Sequence, residues 1–473
     1  MANAMNPARK SYRKLVLSGL LLSLLANGGC ASLTRSDYSV PDLPVESGWQ
    51  TSVSGQPALQ TGPWWDEFGD ADLSELVDRV LKENGDLAAA GIRLRQARLS
   101  ADLAARQLFP SADARASNSA SRALESGGAW DESSSTSVGA SWEIDLFGKL
   151  DAQRDAARWE AEASAQDLAA TQLSMVGTTV NTWWQLAYAN ERITLAQQSL
   201  AYTRRTLELV QRQYDAGAVS RLEIRDAEQS AASQEASLTQ LEQSRTETRN
   251  ALAALLGRQI YDGPERATLP RQDLPAVDAG VPADLLSRRP DLAASELRLR
   301  RTLADADATV ASYYPSISLT GALGTASSSL LSFLSNPVAS LGAAISLGTL
   351  DPARIRLGTG IARADYEAAA EQFRQDFYEA LRDTADALSA REQSIRQGEA
   401  LGRSLAAAQD AEQLYARQYT AGAVALRGWL DALERLRSAE TSVIENRLSQ
   451  LNTQVALYQA LGGDARISGA DAE

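Results

Sequence analysis

Few side chains in this chain of 473 residues could carry out chemistry. Histidine is absent, and Cys30 is the only cysteine. A disulfide within the chain is therefore impossible, and zinc or haem sites built on histidine and cysteine are nearly excluded. A catalytic centre would have to rest on a carboxylate pair, and no close group of Asp and Glu stands out from the solvent-facing helix charges. We therefore predict no enzyme, no catalytic residue and no metal site.

The amino terminus has the pattern of a targeting signal. Residues 9–14 are basic, and residues 15–26 form an apolar run. This run is shorter than the roughly 20 residues that a membrane-spanning helix needs, and its length is typical of the apolar core of a signal peptide.

Cys30 follows two glycines at the end of this pattern. The arrangement resembles a bacterial lipoprotein signal, in which residues 1–29 are removed and Cys30 becomes lipidated. Asn27 departs from the Leu or Val that such signals prefer, so ordinary secretory cleavage with a free Cys30 thiol is the alternative. Ala31, in place of Asp, implies sorting to the outer membrane. One acyl chain anchors a protein only marginally, so stable residence in the membrane needs a second element.

Composition predicts long helices and argues against one class of partner. No proline lies between Pro110 and Pro264, and none follows Pro352. Proline inside a helix costs roughly 3 kcal/mol, so such stretches permit long helices. The formal net charge of −14 repels nucleic acid, and we predict no nucleic-acid partner.

An internal duplication is the strongest signal in the sequence. Arg212–Val219 recurs almost unchanged as Arg417–Val424, a spacing of 205 residues between Gly217 and Gly422. Other landmarks align at the same spacing without insertion or deletion: Phe109-Pro110-Ser111 with Tyr314-Pro315-Ser316, Asp86–Ala89 with Asp291–Ala294, and Leu256-Gly257 with Leu461-Gly462. The chain is therefore predicted to contain two copies of one structural unit.

Each unit is predicted to contain a helix, a pair of strands and a long helical hairpin. The predicted segments are the lipidated extended segment with a short helix at 30–84, the first repeat at 85–262, the linker at 263–290, the second repeat at 291–463 and the tail at 464–473. The Pro-rich linker is expected to be partly extended, and the start of the first segment is expected to drape over the rest of the protein. The first strand pair is predicted at 112–146, with strands 112–122 and 134–146 on either side of a turn at 126–128. The second is predicted at 316–348, with strands 316–326 and 338–348 on either side of the turn Ser335-Asn336-Pro337. The hairpins are predicted at 149–256 and 353–461. Thin apolar seams on the hairpins predict lateral packing of helix against helix.

The strand pairs carry a weak alternation of apolar and small polar residues. Ala114 and Ala116, like Ile317 and Leu319, occupy alternate positions. This alternation predicts strands that contact lipid on one face and water on the other, and a disordered serine-rich loop is the alternative. Four strands cannot close a membrane barrel, which needs about eight, and open edges are not tolerated in lipid. Three copies would supply twelve strands.

With these features together, the chain resembles the TolC-like outer-membrane factors, in particular their lipoprotein branch. The residues that carry the resemblance are Phe109-Pro110-Ser111, Trp142–Leu150, Tyr214–Val219, Arg288–Leu292, Tyr314-Pro315-Ser316 and Leu457–Gly463. The resemblance implies a mostly α trimeric fold with a small β part, in which a shared 12-stranded outer-membrane β-barrel is continued by a long periplasmic α-helical barrel.

The resemblance also implies a function. The chain would be the outer-membrane channel subunit of a tripartite efflux pump, a passive homotrimeric duct that exports small molecules and is gated at its periplasmic tip. Its partners would be a periplasmic adaptor, an inner-membrane efflux transporter and outer-membrane lipid. It implies no cofactor beyond the covalent lipid on Cys30. A periplasmic coiled-coil adaptor is the competing interpretation, although it would normally show one hairpin and no paired strands before it.

By the same resemblance, the hairpin turns form the tip that binds the adaptor, although helix termination alone also explains these residues. The candidate residues are Arg212, Gly217, Ala218 and Val219 in the first half, and Arg417, Gly422, Ala423 and Val424 in the second. Asp431 matches the acidic ring of the family's constriction, and Arg427, one helical turn earlier, could compensate its charge. Alternatively, Asp431 only stabilises the start of its helix.

Overall fold

A computed structural model describes residues 34–44, 48–49, 63–122, 129–277, 280, 282–327 and 337–463 of the chain. Several predicted features lie outside the described residues: the signal peptide 1–29, Cys30, the turn at 126–128, the turn residues Ser335 and Asn336, and the tail 464–473.

Both halves contain the predicted order of a helix, two strands and a helical hairpin. The elements of the first half are a 3-10 helix (Trp64–Phe68), α1 (Ala71–Glu83), α2 (Gly85–Arg106), β1 (Ser111–Ser121), β2 (Asp131–Ile144), α3 (Lys149–Asp215) and α4 (Arg221–Leu255). Those of the second half are a 3-10 turn (Pro282–Asp284), α5 (Leu285–Arg288), α6 (Pro290–Ala311), β3 (Ser316–Ser327), β4 (Pro337–Ser346), α7 (Pro352–Thr420) and α8 (Leu426–Ala460). We call α3 with α4 hairpin 1, and α7 with α8 hairpin 2.

The long proline-free stretches do form long helices. Helices α3 and α7 have 67 and 69 residues, and α4 and α8 have 35 residues each. The corresponding arms of the two hairpins therefore differ by at most two residues, as expected from the constant repeat spacing.

Within the described residues, no helix combines the length and the apolar character that crossing a membrane requires.

The start of β2 and the conformation of the linker differ from what the sequence predicted. Strand β2 begins at Asp131, three residues before the predicted start at 134. The linker, expected to be partly extended, contains the 3-10 turn and α5. Pro282 begins that turn, and its fixed φ is compatible with a helical start.

The described chain divides into two compact units that cut across the sequence repeats. Among the described residues, one unit contains 34–43, 93–122, 129–165, 294–327 and 337–375, and the other contains 44, 48–49, 63–92, 166–277, 280, 282–293 and 376–463. The sheet belongs to the first unit and both hairpin turns belong to the second. Each unit is therefore built from parts of both repeats.

The second unit has an aromatic core around Trp64. This side chain is fully buried and stacks on Tyr458 with a centroid distance of 4.8 Å. Asp70 caps α1 by accepting a hydrogen bond from the Leu73 amide, and it also accepts one from Trp183 Nε1 at 3.1 Å. The tryptophans after Pro63 are therefore packing residues, and their packing partner Tyr458 lies near the opposite end of the chain.

The strands form one antiparallel sheet in the order β1-β2-β3-β4. The central pairing joins the two repeats, with Trp142 of β2 opposite Leu319 of β3. Strands β1 and β4 each pair on one side only within the described residues, so both edges of the sheet are open.

Candidate functional site

The two faces of the sheet differ in polarity. Residues paired across strands share a face, because side chains alternate along each strand. One face carries apolar side chains from all four strands: Ala112, Ala114, Ala116, Val138, Ala140, Trp142, Leu319, Leu323, Ala339, Leu341, Ala343 and Ile345. Leu341 on this face is 95% exposed. Apolar surface of this extent on an isolated chain indicates a membrane or a protein interface.

The opposite face is polar. Its residues include Ser111, Asp113, Arg115, Ser117, Ser135, Ser137, Ser141, Glu143, Ser318, Thr320 and Ser340. Arg115 forms an ion pair with Asp113 at 3.1 Å, and the hydroxyl groups of Ser117 and Ser135 lie 2.8 Å apart. A sheet with one apolar and one polar face is the arrangement of membrane barrel strands that line a water-filled lumen.

Aromatic side chains collect at the end of the sheet that is joined to the helices. Trp142 Nε1 donates a hydrogen bond to the Leu108 carbonyl at 3.0 Å, and Phe147 stacks on Tyr314 at 4.8 Å. Phe109, in the aromatic-proline pair of the first half, is 60% exposed. Amphipathic and aromatic side chains are enriched where a membrane meets water. The aromatic-proline pairs therefore belong to a belt at one edge of the apolar face.

The first described residues of the chain are held beside this belt. Thr34 Oγ1 donates a hydrogen bond to the Phe147 carbonyl at 2.6 Å. Arg35 pairs with Asp151 at 3.0 Å and also with Asp155. The segment around Thr34 is therefore fixed where β2 passes into α3.

The same segment continues along α6. The Ser36 hydroxyl donates to Asp307 at 2.7 Å. The Arg300 guanidinium carbon lies 4.4 Å from the ring centroid of Tyr38, and the Tyr38 hydroxyl donates to Glu296. Burial, and then the Glu296 charge, raises the pKa of Tyr38 to about 12, so the phenol remains a donor at neutral pH. Residues 34–38, which we call the N-terminal clamp, are therefore ordered by ionic, hydrogen-bonding and cation–π contacts.

The predicted adaptor-binding residues lie at two turns with the same backbone geometry. Gly217 and Gly422 have φ of 74° and 71°. The Gly217 amide donates to the Tyr214 carbonyl and the Ala218 amide to the Gln213 carbonyl, and the equivalent pair of bonds occurs at Gly422. This is the Schellman motif, which needs a left-handed residue that glycine adopts without strain.

The predicted tip residues are mostly accessible. Arg212, Gly217, Ala218, Arg417, Gly422 and Ala423 are exposed, whereas Val219 and Val424 are half-buried. The two valines pack against an apolar cluster formed by Val210, Ile224, Ala227, Tyr419, Leu426 and Trp429. This cluster, which we call the tip core, joins hairpin 1 to hairpin 2. The valines therefore help to hold the two turns together.

Glu412 links the two hairpins beside the tip core. Its Oε1 accepts hydrogen bonds from the Tyr202 hydroxyl at 2.9 Å and from Trp429 Nε1 at 3.0 Å. Tyr202 also contacts Trp429 edge to face at 5.9 Å. Burial, and then the hydrogen bond to Glu412, raises the pKa of Tyr202 above its ordinary value of 10, so the phenol stays a donor. One carboxylate therefore ties α3 of hairpin 1 to α8 of hairpin 2.

The return helices of the two hairpins begin differently. Ser220 and Glu223 form a reciprocal capping box at the start of α4. Their repeat equivalents are Ala425 and Gly428, and the start of α8 has no side-chain cap. A side-chain cap is typically worth about 1 kcal/mol, and glycine inside a helix costs roughly as much. The start of α8 is therefore less stable locally than the start of α4.

The two predicted gate residues lie on this uncapped start. Arg427 and Asp431 are both exposed, one helical turn apart on α8. Neither forms an ion pair with any residue that the structure describes, so the two side chains are not in direct contact with each other as an ion pair. Across the same described ranges, no group of three or more Cys, Asp or Glu is arranged to hold a metal ion.

These features define a class of protein. A sheet with an apolar and a polar face, joined to long helical hairpins with glycine-terminated turns, is the architecture of an outer-membrane channel subunit. The chain belongs to the outer membrane efflux protein family, whose sequence profile matches residues 76–258 and 281–463. The two matched ranges correspond to the two halves of the duplication.

Individual relatives agree with this membership. The pyoverdine export outer membrane protein OpmQ of Pseudomonas putida is 32% identical, over 95% of this chain and 97% of that protein. The probable efflux pump outer membrane protein TtgC of Pseudomonas putida is 28% identical, over 96% of each. The solved open state of the Neisseria gonorrhoeae MtrE outer membrane channel superimposes with a TM-score of 0.82 at 29% identity, covering 91% of this chain and 98% of that one.

The comparisons confirm four predictions made from the sequence. The family is that of the TolC-like channels, the fold is mostly α with a small sheet, the function is that of an outer-membrane efflux channel component, and the location is the outer membrane. The competing interpretation as a periplasmic adaptor is wrong. The family and its structural relatives are channel proteins.

Sequence reasoning missed two sets of residues. Glu412 was not distinguished from the other helix carboxylates, because its partners Tyr202 and Trp429 are distant in sequence. The N-terminal clamp was expected only as a segment that drapes over the protein. A density of Thr, Arg, Ser and Tyr within 34–38 was its single visible signal.

We predict that replacing Glu412 by Ala loosens the contact between the hairpins. A hydrogen bond to a charged group contributes about 1.5–3 kcal/mol, so losing the shared acceptor should raise the population of loosened tips about tenfold or more. Single-channel conductance of the purified protein in planar lipid bilayers measures this. Glu412→Gln, which keeps an acceptor oxygen and loses the charge, is the control and should lie closer to wild type than Glu412→Ala does. Unchanged conductance in Glu412→Ala would contradict the assignment.

Proposed function

We propose that three copies of this chain form a lipid-anchored duct that opens when a periplasmic adaptor and an inner-membrane efflux transporter dock. The observation that carries the proposal is the four-stranded sheet with one apolar face and two open edges. Backbone N–H and C=O groups at an open edge have no water to bind inside a lipid bilayer. Each edge therefore needs a strand from another copy.

Strand number supports three copies. The smallest membrane barrels have about eight strands, and one chain supplies four. Three chains arranged around an axis supply 3 × 4 = 12 strands and bring β4 of each copy beside β1 of the next. The polar faces, with Asp113 and Arg115, would then line the lumen, and the apolar faces would contact lipid. The duct itself is passive, because the driving force belongs to the transporter.

The N-terminal clamp supports lipidation of Cys30. Thr34 is bonded to the Phe147 carbonyl, within the aromatic belt at the edge of the apolar face. Cys30 precedes Thr34 by four residues, which span at most about 14 Å when extended. An acyl chain on Cys30 would therefore start within reach of the membrane surface.

Metabolic labelling tests this anchor. Cells given an alkyne palmitate should incorporate the label into the wild-type protein, and Cys30→Ser should lose it. Thr34→Val, which removes the clamp hydroxyl and keeps Cys30, should still be labelled. Labelling of Cys30→Ser equal to that of wild type would refute lipidation at this position.

The hairpin turns are the proposed adaptor contact. Arg212, Ala218, Arg417 and Ala423 are exposed around two glycines whose geometry terminates the helices. Helix termination alone also explains the glycines, and the arginines of the last turn favour the helix dipole, so the proposal rests on the equivalent exposed positions in the two hairpins. Two arginines at equivalent positions present a cationic surface to a partner.

Arg427 and Asp431 are the proposed gate. Around a threefold axis each residue occurs three times, and three adjacent carboxylates repel one another unless cations or guanidinium groups lie between them. Because neither side chain has an ion-pair partner within the described part of its own chain, each remains available to a neighbouring copy. The uncapped start of α8 places this pair on the helix end that is easier to move.

We expect the double variant Arg427→Ala with Asp431→Ala to conduct more than wild type in planar bilayers, because the charges that hold the closed state are removed. Leu222 and Asp226 occupy the equivalent positions of hairpin 1. The matched double variant Leu222→Ala with Asp226→Ala should leave conductance unchanged. Equal conductance of the gate variant and the wild type would exclude this role.

A deletion strain tests the function as a whole. Loss of the gene should increase susceptibility to drugs and dyes severalfold, and the plasmid-borne chain should restore resistance only when adaptor and transporter are present. Because the relatives OpmQ and TtgC carry different named roles, secretion of pyoverdine is measured beside drug efflux. A deletion that changes neither secretion nor susceptibility would count against an efflux duct.

A further inference from the structure

A triad of residues occurs twice at the tip, and each copy uses a different part of it within the chain. The triads are Leu209, Gln213 and Tyr214 in hairpin 1, and Leu414, Gln418 and Tyr419 in hairpin 2, separated by the repeat spacing. In each triad, the Leu and the Gln lie one helical turn apart on the outgoing helix, so they share a face.

Hairpin 1 uses its Leu and Gln, and hairpin 2 uses its Tyr. The Tyr419 hydroxyl donates a hydrogen bond to Gln213 Oε1 at 2.6 Å. Tyr419 is only 8% exposed and stacks on Trp429, and Leu209 packs against the same tip core. One contact between the hairpins of one chain therefore joins a Tyr of hairpin 2 to a Gln of hairpin 1, and Leu209 packs against the cluster that contains this Tyr.

The remaining halves of the two triads are exposed. Tyr214 of hairpin 1 is 40% exposed, Leu414 of hairpin 2 is 56% exposed, and Gln418 is also exposed. Successive residues on a helix point about 100° apart, so Tyr214 and Gln213 contact different neighbours. Hairpin 1 thus presents an unused Tyr, and hairpin 2 presents an unused Leu–Gln pair.

We propose that the adjacent copy of this chain joins these unused halves. Tyr214 of one copy packs on Leu414 and donates its hydroxyl to Gln418 of the next copy, which repeats the Tyr419–Gln213 contact between chains. This inference rests on the proposed trimer. The interface is heterologous, because the two surfaces differ, and such interfaces form a closed ring when the rotation per copy closes.

This contact gives a physical reason for the strict repeat spacing at the tip. If within-chain and between-chain contacts use the same residue types at the same helical positions, all six hairpins of a trimer can pack side by side in equivalent registers. An insertion in either α3 or α7 would rotate the triad by 100° per residue and separate Tyr from its acceptor.

Photocrosslinking in cells that carry the complete pump tests the proposal. A chain with Tyr214→p-benzoylphenylalanine should give a product of twice the monomer mass, and mass spectrometry should identify the peptide that contains Leu414 and Gln418. The matched control has the same substitution at Tyr419, and it should crosslink to the Gln213 peptide of its own chain, leaving the mass at that of a monomer. Crosslinking of position 214 only to the adaptor, or only within its own chain, would overturn the inference.

A second measurement does not depend on the photoreactive residue. Leu414→Glu should lower the temperature at which the purified trimer dissociates, because a charge would enter the contact. Leu222→Glu is the control, since Leu222 is 68% exposed and lies outside the triads. Size-exclusion chromatography with light scattering of the detergent-solubilised wild type separates the two proposals. Monomers alone would refute the trimer, whereas trimers whose stability is unaffected by Leu414→Glu would refute this contact.

Discussion

The rest of the structure depends on one constraint, which is that backbone hydrogen-bonding groups cannot be left unpaired inside a lipid bilayer. The sheet satisfies this constraint for its two central strands and leaves it unmet at β1 and β4. An exposed apolar face makes the problem unavoidable, because Leu341 and its neighbours are stabilised only by a nonpolar environment. The proposed shared barrel would supply the missing strand partners at both edges.

The helical hairpins also need neighbours, and the reason is the burial of apolar side chains away from water. Their apolar seams are thin, so each hairpin buries little by itself and needs a neighbour on both sides. Within the chain, the tip core and the Glu412 bridge provide one of these neighbours. The exposed Leu414 and Tyr214 occupy the positions where a second neighbour would bind. Polar contacts such as Tyr188 and Arg192 with Glu445 add specificity to helix faces that carry few large apolar groups.

The duplication produces equivalent backbones, and substitutions then make the halves unequal. Both turns close with the same Schellman hydrogen bonds at Gly217 and Gly422. The last helical residue of each return helix also has an equivalent partner, since Asn84 donates to the Leu255 carbonyl and Arg289 donates to the Ala460 carbonyl. The halves differ most at the starts of the return helices: hairpin 1 has a capping box there, and the equivalent position in hairpin 2 is an alanine without a side-chain cap. A duct that must be both stable and able to open benefits from such a division.

Much of this could be predicted from the sequence, because the relevant rules are local. Proline positions determined where long helices could run, glycines at a constant spacing determined where they end, and alternation in 112–146 and 316–348 determined which segments are strands. The β2 start, the helical turns of the linker and the residues of the N-terminal clamp were less predictable, since neighbouring residues alone do not decide them. Only the tertiary structure decided that Tyr419 is buried while its repeat equivalent Tyr214 is exposed, and that Glu412 is the carboxylate shared by Tyr202 and Trp429. Nearly identical local sequences have nearly identical local preferences, and it is the contact with the other hairpin of the same chain that buries Tyr419.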